Sequence, residues 1–210
     1  MALPDEDTGP GVLVLHSWWG LNEATRDICD RLARNGYVAL APDLFGGRTA
    51  STAEEGEEML AELDPNLLVR DVRAAARVLT QLPATVGDQI AVLGMSMGAS
   101  MALWLSDRAA DEVSATIVFY GVQDIAFDQT SSAYLCHFAD DDAFVDDDAS
   151  RYLEAVLHLA GNDNEIVVHR YPGTNHWFFE SGHEAFDPDA AELAWSRTFD
   201  FLDRHLQATR

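Results

Sequence analysis

Ser96 stands in the run Gly94-Met95-Ser96-Met97-Gly98, behind the apolar stretch "QIAVLG" and ahead of "MGASMALWLSDR". A G-x-S-x-G pattern gains chemical meaning when a strand precedes it and a helix follows. The serine then sits on a sharp, strained turn, and the flanking glycines let strand and helix approach closely. Its hydroxyl projects above the sheet at the positive end of the helix. Outside that context the pattern is a tight glycine turn with a bystander serine. A serine hydroxyl is a poor nucleophile until a base takes its proton. In strand–turn–helix hydrolases the chain order is Ser, then Asp or Glu, then His.

Seven histidines are available. His176, in "RYPGTNHWFFE", falls in the loop after the last expected strand. His16 precedes the serine, His137 and His169 fall within strands, His158 and His205 fall within helices, and His183 lies further along a polar loop. His176 is therefore the expected base. "FADDDAFVDDD" supplies six aspartates where the acid is expected. Asp146, Asp147 and Asp148 read as the capping and dipole-compensating start of a helix. Asp140, Asp141 and Asp142 directly follow a strand, and spacing alone does not choose among them. The run lacks the glycine and spaced ligands of an EF-hand, so calcium is not expected. Acyl transfer also needs an oxyanion site. One donor in such a site is the N–H after the nucleophile, here Met97. The second comes from the loop "LHSWWGLNE", where Ser17 and Trp18 are the candidates and Trp18 is preferred.

These residues must be brought together by alternating elements. Short apolar runs at 11–16, 37–42, 89–94, 114–121, 133–139 and 165–171 read as buried strands. Helical patterns fall at 22–36, 53–63, 66–82, 97–108, 147–160 and 189–206. Asn22 is the cap of the first, Asn35-Gly36 its end, and Asp64-Pro65 the break between the second and third. The alternation predicts an α/β fold: a mostly parallel sheet with helices on both faces, and a site at the carboxyl ends of the strands. All 210 residues read as one domain, with residues 1–10 expected to be flexible. The segment 43–65, rich in Gly, Thr and Glu, is a candidate flap near the site.

Composition narrows the function classes. Asp and Glu number 36 against 13 basic residues, all of them arginine, for a net charge of −23. That charge argues against nucleic acid, whose phosphates would be repelled. The complete absence of lysine with so many carboxylates reads as a surface suited to molar salt, that is, a halophilic source. There the screening length falls to about 3 Å. No apolar run is long enough to span a bilayer. The acidic N-terminus does not read as a secretory signal, so the cytoplasm is the expected compartment. Cys29 and Cys136 read as buried free thiols. No Cys/His spacing suggests zinc, and neither metal nor organic cofactor is expected.

The stretches "VLHSWWGLNEATRDICDRLARNGYVALAPDLFGG", "GMSMGA", "FADDDAFV" and "YPGTNHWF" occur in the order seen in the dienelactone hydrolase family, which the chain resembles from about residue 11 to 206. The resemblance implies an α/β-hydrolase fold and ester hydrolysis. It implies that Asp142, two residues before the Phe-Val pair, is the acid, and that Trp18 is the second oxyanion donor. The family's namesake enzymes use a cysteine where this chain has Ser96, and a glutamate where it has Ser17. They hold a substrate carboxylate with arginines. One of these matches Glu180 here, and another falls in the segment matching 48–62, where only Arg48 is present. A substrate carboxylate facing Glu180 would be repelled.

The expectation is a serine hydrolase that cleaves a small, neutral or weakly polar carboxylic ester or lactone through an acyl-enzyme. Its catalytic residues are Ser96, Asp142 and His176, with Met97 and Trp18 at the oxyanion. Ser17, Trp19, Phe45, Trp177 and Phe178 are candidate pocket residues, with core packing the alternative for Trp19 and Phe178. A thioesterase or peptidase would use the same triad, and a non-catalytic small-molecule binder is a rival from another class. No nucleic-acid or membrane partner is expected, and the protein is expected to be a monomer or small homo-oligomer.

Overall fold

Continuous apolar runs of five to seven residues, too short for buried helices, become the inner strands of one sheet. The structure, a computed structural model, describes residues 1–160 and 164–206. Its strands are β1 (Gly11–Leu15), β2 (Val38–Leu40), β3 (Ile90–Met95), β4 (Val113–Phe119), β5 (Ala133–Ala139) and β6 (Ile166–Tyr171). They pair in the order β2-β1-β3-β4-β5-β6, and every pair is parallel. The helices are α1 (Glu23–Arg34), α2 (Ala53–Ala61), α3 (Pro65–Gln81), α4 (Met97–Arg108), α5 (Asp147–Leu159) and α6 (Pro188–His205). The chain runs outward from β1 to β2, then crosses back to β3. The boundary between β1 and β3 is thus the switch point at which crevices open beyond the strand ends.

The two-residue period of the strands sorts their side chains onto two faces. Val12 and Val14 of β1, with Ala91 and Leu93 of β3, pack against Ile28 and Leu32 of α1 and Trp195 and Phe201 of α6. Leu13 and Leu15, with Ile90 and Val92, pack against Val72 and Leu79 of α3 and Ala102 and Leu105 of α4. Further along the sheet, Leu103 of α4 and Leu153 and Leu157 of α5 cover Val118 and Cys136. Both faces are covered, which is why the strands read as unbroken apolar runs rather than alternating ones.

The helix starts follow local chemistry. The Asn22 side chain accepts the Thr25 N–H, Asp146 that of Ala149, and Asp187 that of Ala190. Asp64 caps α3, whose first residue is Pro65. The expected elements are all present, with ends displaced by at most two residues. The largest change is β2, an edge strand that pairs with β1 over three positions only.

The first ten residues, expected to be flexible, make backbone hydrogen bonds at two points. Ala2 exchanges two backbone hydrogen bonds with Ala39 (2.8 and 3.0 Å), and Gly9 does the same with Ala84 and Val86 (3.0 and 2.8 Å). Ala2 covers the open edge of β2, and Gly9 extends the β1 side toward the segment that leads into β3, which an acidic composition alone does not reveal. Cys29 and Cys136 are buried and free, in separate parts of the core. Among the described residues no helix is long and apolar enough to cross a membrane.

Candidate active site

Ser96 joins β3 to α4 with φ 53° and ψ −114°, a left-handed conformation that costs a non-glycine residue about 1–3 kcal/mol. The surroundings enforce it. The Ser96 N–H donates to the Phe119 carbonyl at 3.0 Å, and its own carbonyl accepts from Ala99 and Ser100. A Cβ on Gly94 would lie 2.2 Å from the Gly98 carbonyl oxygen, and one on Gly98 would lie 2.1 Å from that of Leu15. Both positions therefore require glycine. The Ser96 hydroxyl makes no capping bond to α4, which leaves it for another partner.

That partner is His176. Its Nε2 lies 2.9 Å from Ser96 Oγ, and its Nδ1 lies 2.8 and 2.9 Å from the two carboxylate oxygens of Asp142. The His176 and Asp142 side chains are 3% and 2% exposed. Asp142 Oδ1 also accepts the N–H groups of Phe144 (2.8 Å) and Val145 (3.0 Å), so the carboxylate is fixed on both sides. Asp140 and Asp141, its neighbours, are exposed. With Asp142 accepting, Nδ1 carries the proton and Nε2 presents a lone pair to the hydroxyl.

Two other histidines, His16 and His137, are occupied elsewhere. His16 Nε2 accepts the Leu44 N–H, so Nδ1 donates to the Ser17 carbonyl at 2.7 Å. Burial lowers the pKa of that imidazole. His137 bonds the Tyr171 hydroxyl and stacks on Phe119, deep in the sheet.

The loop after β1 passes beside the elbow. Met97 is the first residue of α4, so its N–H has no carbonyl one turn back in the helix. The Trp18 N–H has no protein acceptor among the described residues. The Trp18 ring is sandwiched: Trp177 lies 5.5 Å away, and the Phe144 ring meets its face edge-on at 5.5 Å. Gly56 of α2 backs it, since a Cβ there would touch the indole at 3.1 Å. The segment 43–65 is tied to this loop by a Gly20–Thr49 bridge and by the Ala50 N–H, which donates to Trp19 O.

Two cavities lie in this region, and the smaller reaches the triad. One of about 420 Å³ touches His176, Phe144 and Trp177. The other, about 910 Å³, is walled by Trp19 and Trp177 and by Glu23, Asp27 and Glu184. Trp177 and His183 border both. Of the residues expected to line a pocket, Trp19 and Trp177 do so. Ser17, Phe45 and Phe178 line neither cavity. Phe178 is fully buried against Phe119, Tyr120 and Tyr171, and Phe45 packs on His16.

Ser17 instead belongs to a buried polar cluster. Its hydroxyl donates to Glu180 Oε2 at 2.7 Å, and the Tyr120 hydroxyl donates to Glu180 Oε1 at 2.9 Å. Glu180 is 2% exposed: it borders the larger cavity, but both carboxylate oxygens are engaged by these two hydroxyls. Burial pushes its pKa up from 4.5 to about 7, against the opposing pull of the two hydroxyl donors. Tyr120 and Phe144 went unnoticed in sequence. Tyr120 directly follows β4, a position the strand-end rule singles out, and its ring packs 4.8 Å from that of His176. Phe144, 53% exposed within an acidic run, covers His176 at 4.9 Å.

A strand–serine–helix turn on a parallel sheet, with a histidine and an aspartate returning to it from later strand ends, defines the α/β-hydrolase class. The comparisons are more specific. The profile of the dienelactone hydrolase family matches residues 1–206. The chain is 27% identical to "Protein usf" of Aquifex pyrophilus, over 94% of this chain and 89% of that one. It is 26% identical to the carboxymethylenebutenolidase of Pseudomonas putida, over 95% and 87%. A crystal structure of a dienelactone hydrolase-like promiscuous phosphotriesterase from metagenomic libraries superposes with a TM-score of 0.79 at 22% identity, covering 94% of this chain and 87% of the other. The chain belongs to the dienelactone hydrolase family and is a hydrolase of ester bonds.

Proposed function

We propose that the chain is a serine hydrolase that cleaves small, uncharged carboxylic esters or lactones through an acyl-enzyme. The observation that carries this reading is the unbroken hydrogen-bonded series Ser96–His176–Asp142. His176 takes the Ser96 proton as Oγ attacks the carbonyl carbon, and Asp142 orients the imidazole and stabilises its charged form. The oxyanion is held by the Met97 and Trp18 N–H groups. His176 then returns the proton to the departing alkoxide. Water, deprotonated by the same imidazole, releases the acyl group from Ser96.

The preference for an uncharged substrate is supported by the cavity walls. Asp141 and Glu184 border the cavity that reaches His176, Glu23, Asp27 and Glu184 border the larger one beside it, and among the described residues no arginine borders either. A substrate carboxylate would find repulsion there and no bidentate clamp. The name of the Pseudomonas relative supports lactones alongside open esters. The absence of lysine and the net charge of −23 support a surface that works in concentrated salt.

The test is turnover of p-nitrophenyl acetate and butyrate in high salt by the wild type and Ser96→Ala. Turnover by the wild type and its loss in a folded Ser96→Ala are expected. An inert wild type would favour a binding protein, and an active Ser96→Ala would remove the nucleophile assignment.

A further inference from the structure

We propose that Glu180 is a positioning residue of the hydrolytic site: its ionised carboxylate fixes Ser17 and Tyr120, and through them the Trp18 amide and the His176 ring. The proposal rests on the serine mechanism above. Glu180 joins the two walls between which Ser96 reacts. Ser17, one residue before Trp18, donates to one carboxylate oxygen at 2.7 Å. Tyr120 donates to the other at 2.9 Å, while its ring packs 4.8 Å from that of His176. Tyr120 is itself held at φ 39°, with its N–H on the His137 carbonyl at 2.8 Å.

Proton counting favours the ionised form as the ordered one. A carboxylate only accepts, and each hydroxyl has a single proton to give. Both hydroxyl protons are directed at Glu180, and Ser17 Oγ lies within 3.4 Å of the Trp19 N–H. A proton added to Glu180 needs an acceptor, and its present partners are those same two oxygens. One hydroxyl must then turn its proton elsewhere, which disturbs either the 17–19 turn or the ring beneath His176.

The charged and titratable groups around Glu180 leave this switch unopposed. From α1, Glu23 and Asp27 border the same cavity, as do His183 and Glu184 from its own loop. The loop after β1 contributes His16, whose buried imidazole is engaged by Leu44 and Ser17. Beyond Tyr120 lie His176 and Asp142. Among the described residues no arginine lines this cavity to hold the carboxylate ionised, so the two hydroxyls do so against burial, which pushes the Glu180 pKa up to about 7.

The experiment is the pH profile of kcat/KM for p-nitrophenyl acetate, read at the nitrophenol isosbestic wavelength, for wild type, Glu180→Gln and Tyr120→Phe. The wild type is expected to show, on top of the single-proton acid limb of the catalytic base, a fall of roughly ten-fold as Glu180 takes up its proton, which makes the acid side locally steeper than one proton allows. Glu180→Gln is expected to lack that step and to keep a slope of one throughout. Its alkaline kcat should fall roughly ten-fold, less than the loss of a whole oxyanion donor, with KM changed by less than about two-fold. Tyr120→Phe removes one donor to the charged form, so it keeps the step and moves it to higher pH. A wild-type slope nowhere above one, the step retained in Glu180→Gln, an unchanged kcat in that variant, or an unmoved step in Tyr120→Phe would each overturn the proposal. Ser96→Ala assayed alongside separates the two levels. If it is inactive while the slopes fail, only the role of Glu180 is lost; if it is active, the serine mechanism itself is lost.

Discussion

Replacing Glu180 with glutamine should make the protein more stable, and the gain should depend on pH in a defined direction. Glu180 is 2% exposed, and its pKa rises from 4.5 to about 7 because burial disfavours the charged form. An acid whose folded pKa is raised binds its proton more tightly when folded. Its destabilising contribution is therefore absent below the unfolded value, grows as pH rises through the window, and is complete above the folded value. At about 1.4 kcal/mol per unit the full effect is roughly 3 kcal/mol, of which about 2.5 falls between about pH 5 and about pH 8. Glutamine keeps the shape and does not titrate. Denaturant unfolding of both proteins at the two pH values, at fixed high salt, gives a double difference in which any pH-independent change in hydrogen bonding cancels. The stability of Glu180→Gln relative to wild type should rise by about 2.5 kcal/mol from the lower to the higher pH. A constant difference, or a rise in the opposite direction, would mean that the carboxylate is not held ionised against burial and would refute the argument.

Other outcomes follow from the same geometry. Asp142→Asn presents a side-chain amide to His176 Nδ1, favours the wrong tautomer, and should lower kcat by about 10⁴-fold with a folded protein; a loss under ten-fold in steady-state kinetics would remove Asp142 from the triad. Gly98→Ala sets a Cβ 2.1 Å from the Leu15 carbonyl oxygen, a backbone atom that cannot move aside. It should cost about 3 kcal/mol or abolish folding, and an unchanged melting temperature would show that strand and helix do not meet there. With 36 acidic residues against 13 arginines, the thermal midpoint should climb as potassium chloride is raised toward molar concentration. A midpoint indifferent to salt would contradict the salt-adapted reading.

The parts legible in the sequence were those written in local chemistry. The caps Asn22, Asp64 and Asp146 and the unbroken apolar runs located the elements to within a few residues. The Gly-x-Ser-x-Gly spacing located the elbow, because each glycine answers a backbone contact under 3 Å. Side-chain direction was not legible. Asp140, Asp141 and Asp142 follow the same strand, and only the N–H groups of Phe144 and Val145, folding back onto Asp142, turn that one inward. Tyr120 ends an apolar run and reads as core, which its ring is; its hydroxyl matters because Glu180, sixty residues later, returns to meet it. Ser17, Phe45 and Phe178 sit near the site in sequence but turn toward Glu180 or the core. The first ten residues are polar enough to read as a tail, and their backbone bonds depend on the edge of β2 at Ala39 and on the segment before β3 at Thr85, which are tertiary facts.

The central claim, that Ser96 is a nucleophile made reactive by His176, is tested most directly by localising a covalent adduct. The protein is treated with a fluorophosphonate, digested, and the modified residue identified by fragmentation mass spectrometry, in parallel with His176→Ala. The account requires one phosphonyl group on Ser96 in the wild type and a much slower reaction in the histidine variant. An adduct on another residue, or labelling of Ser96 at the same rate without the imidazole, would contradict it.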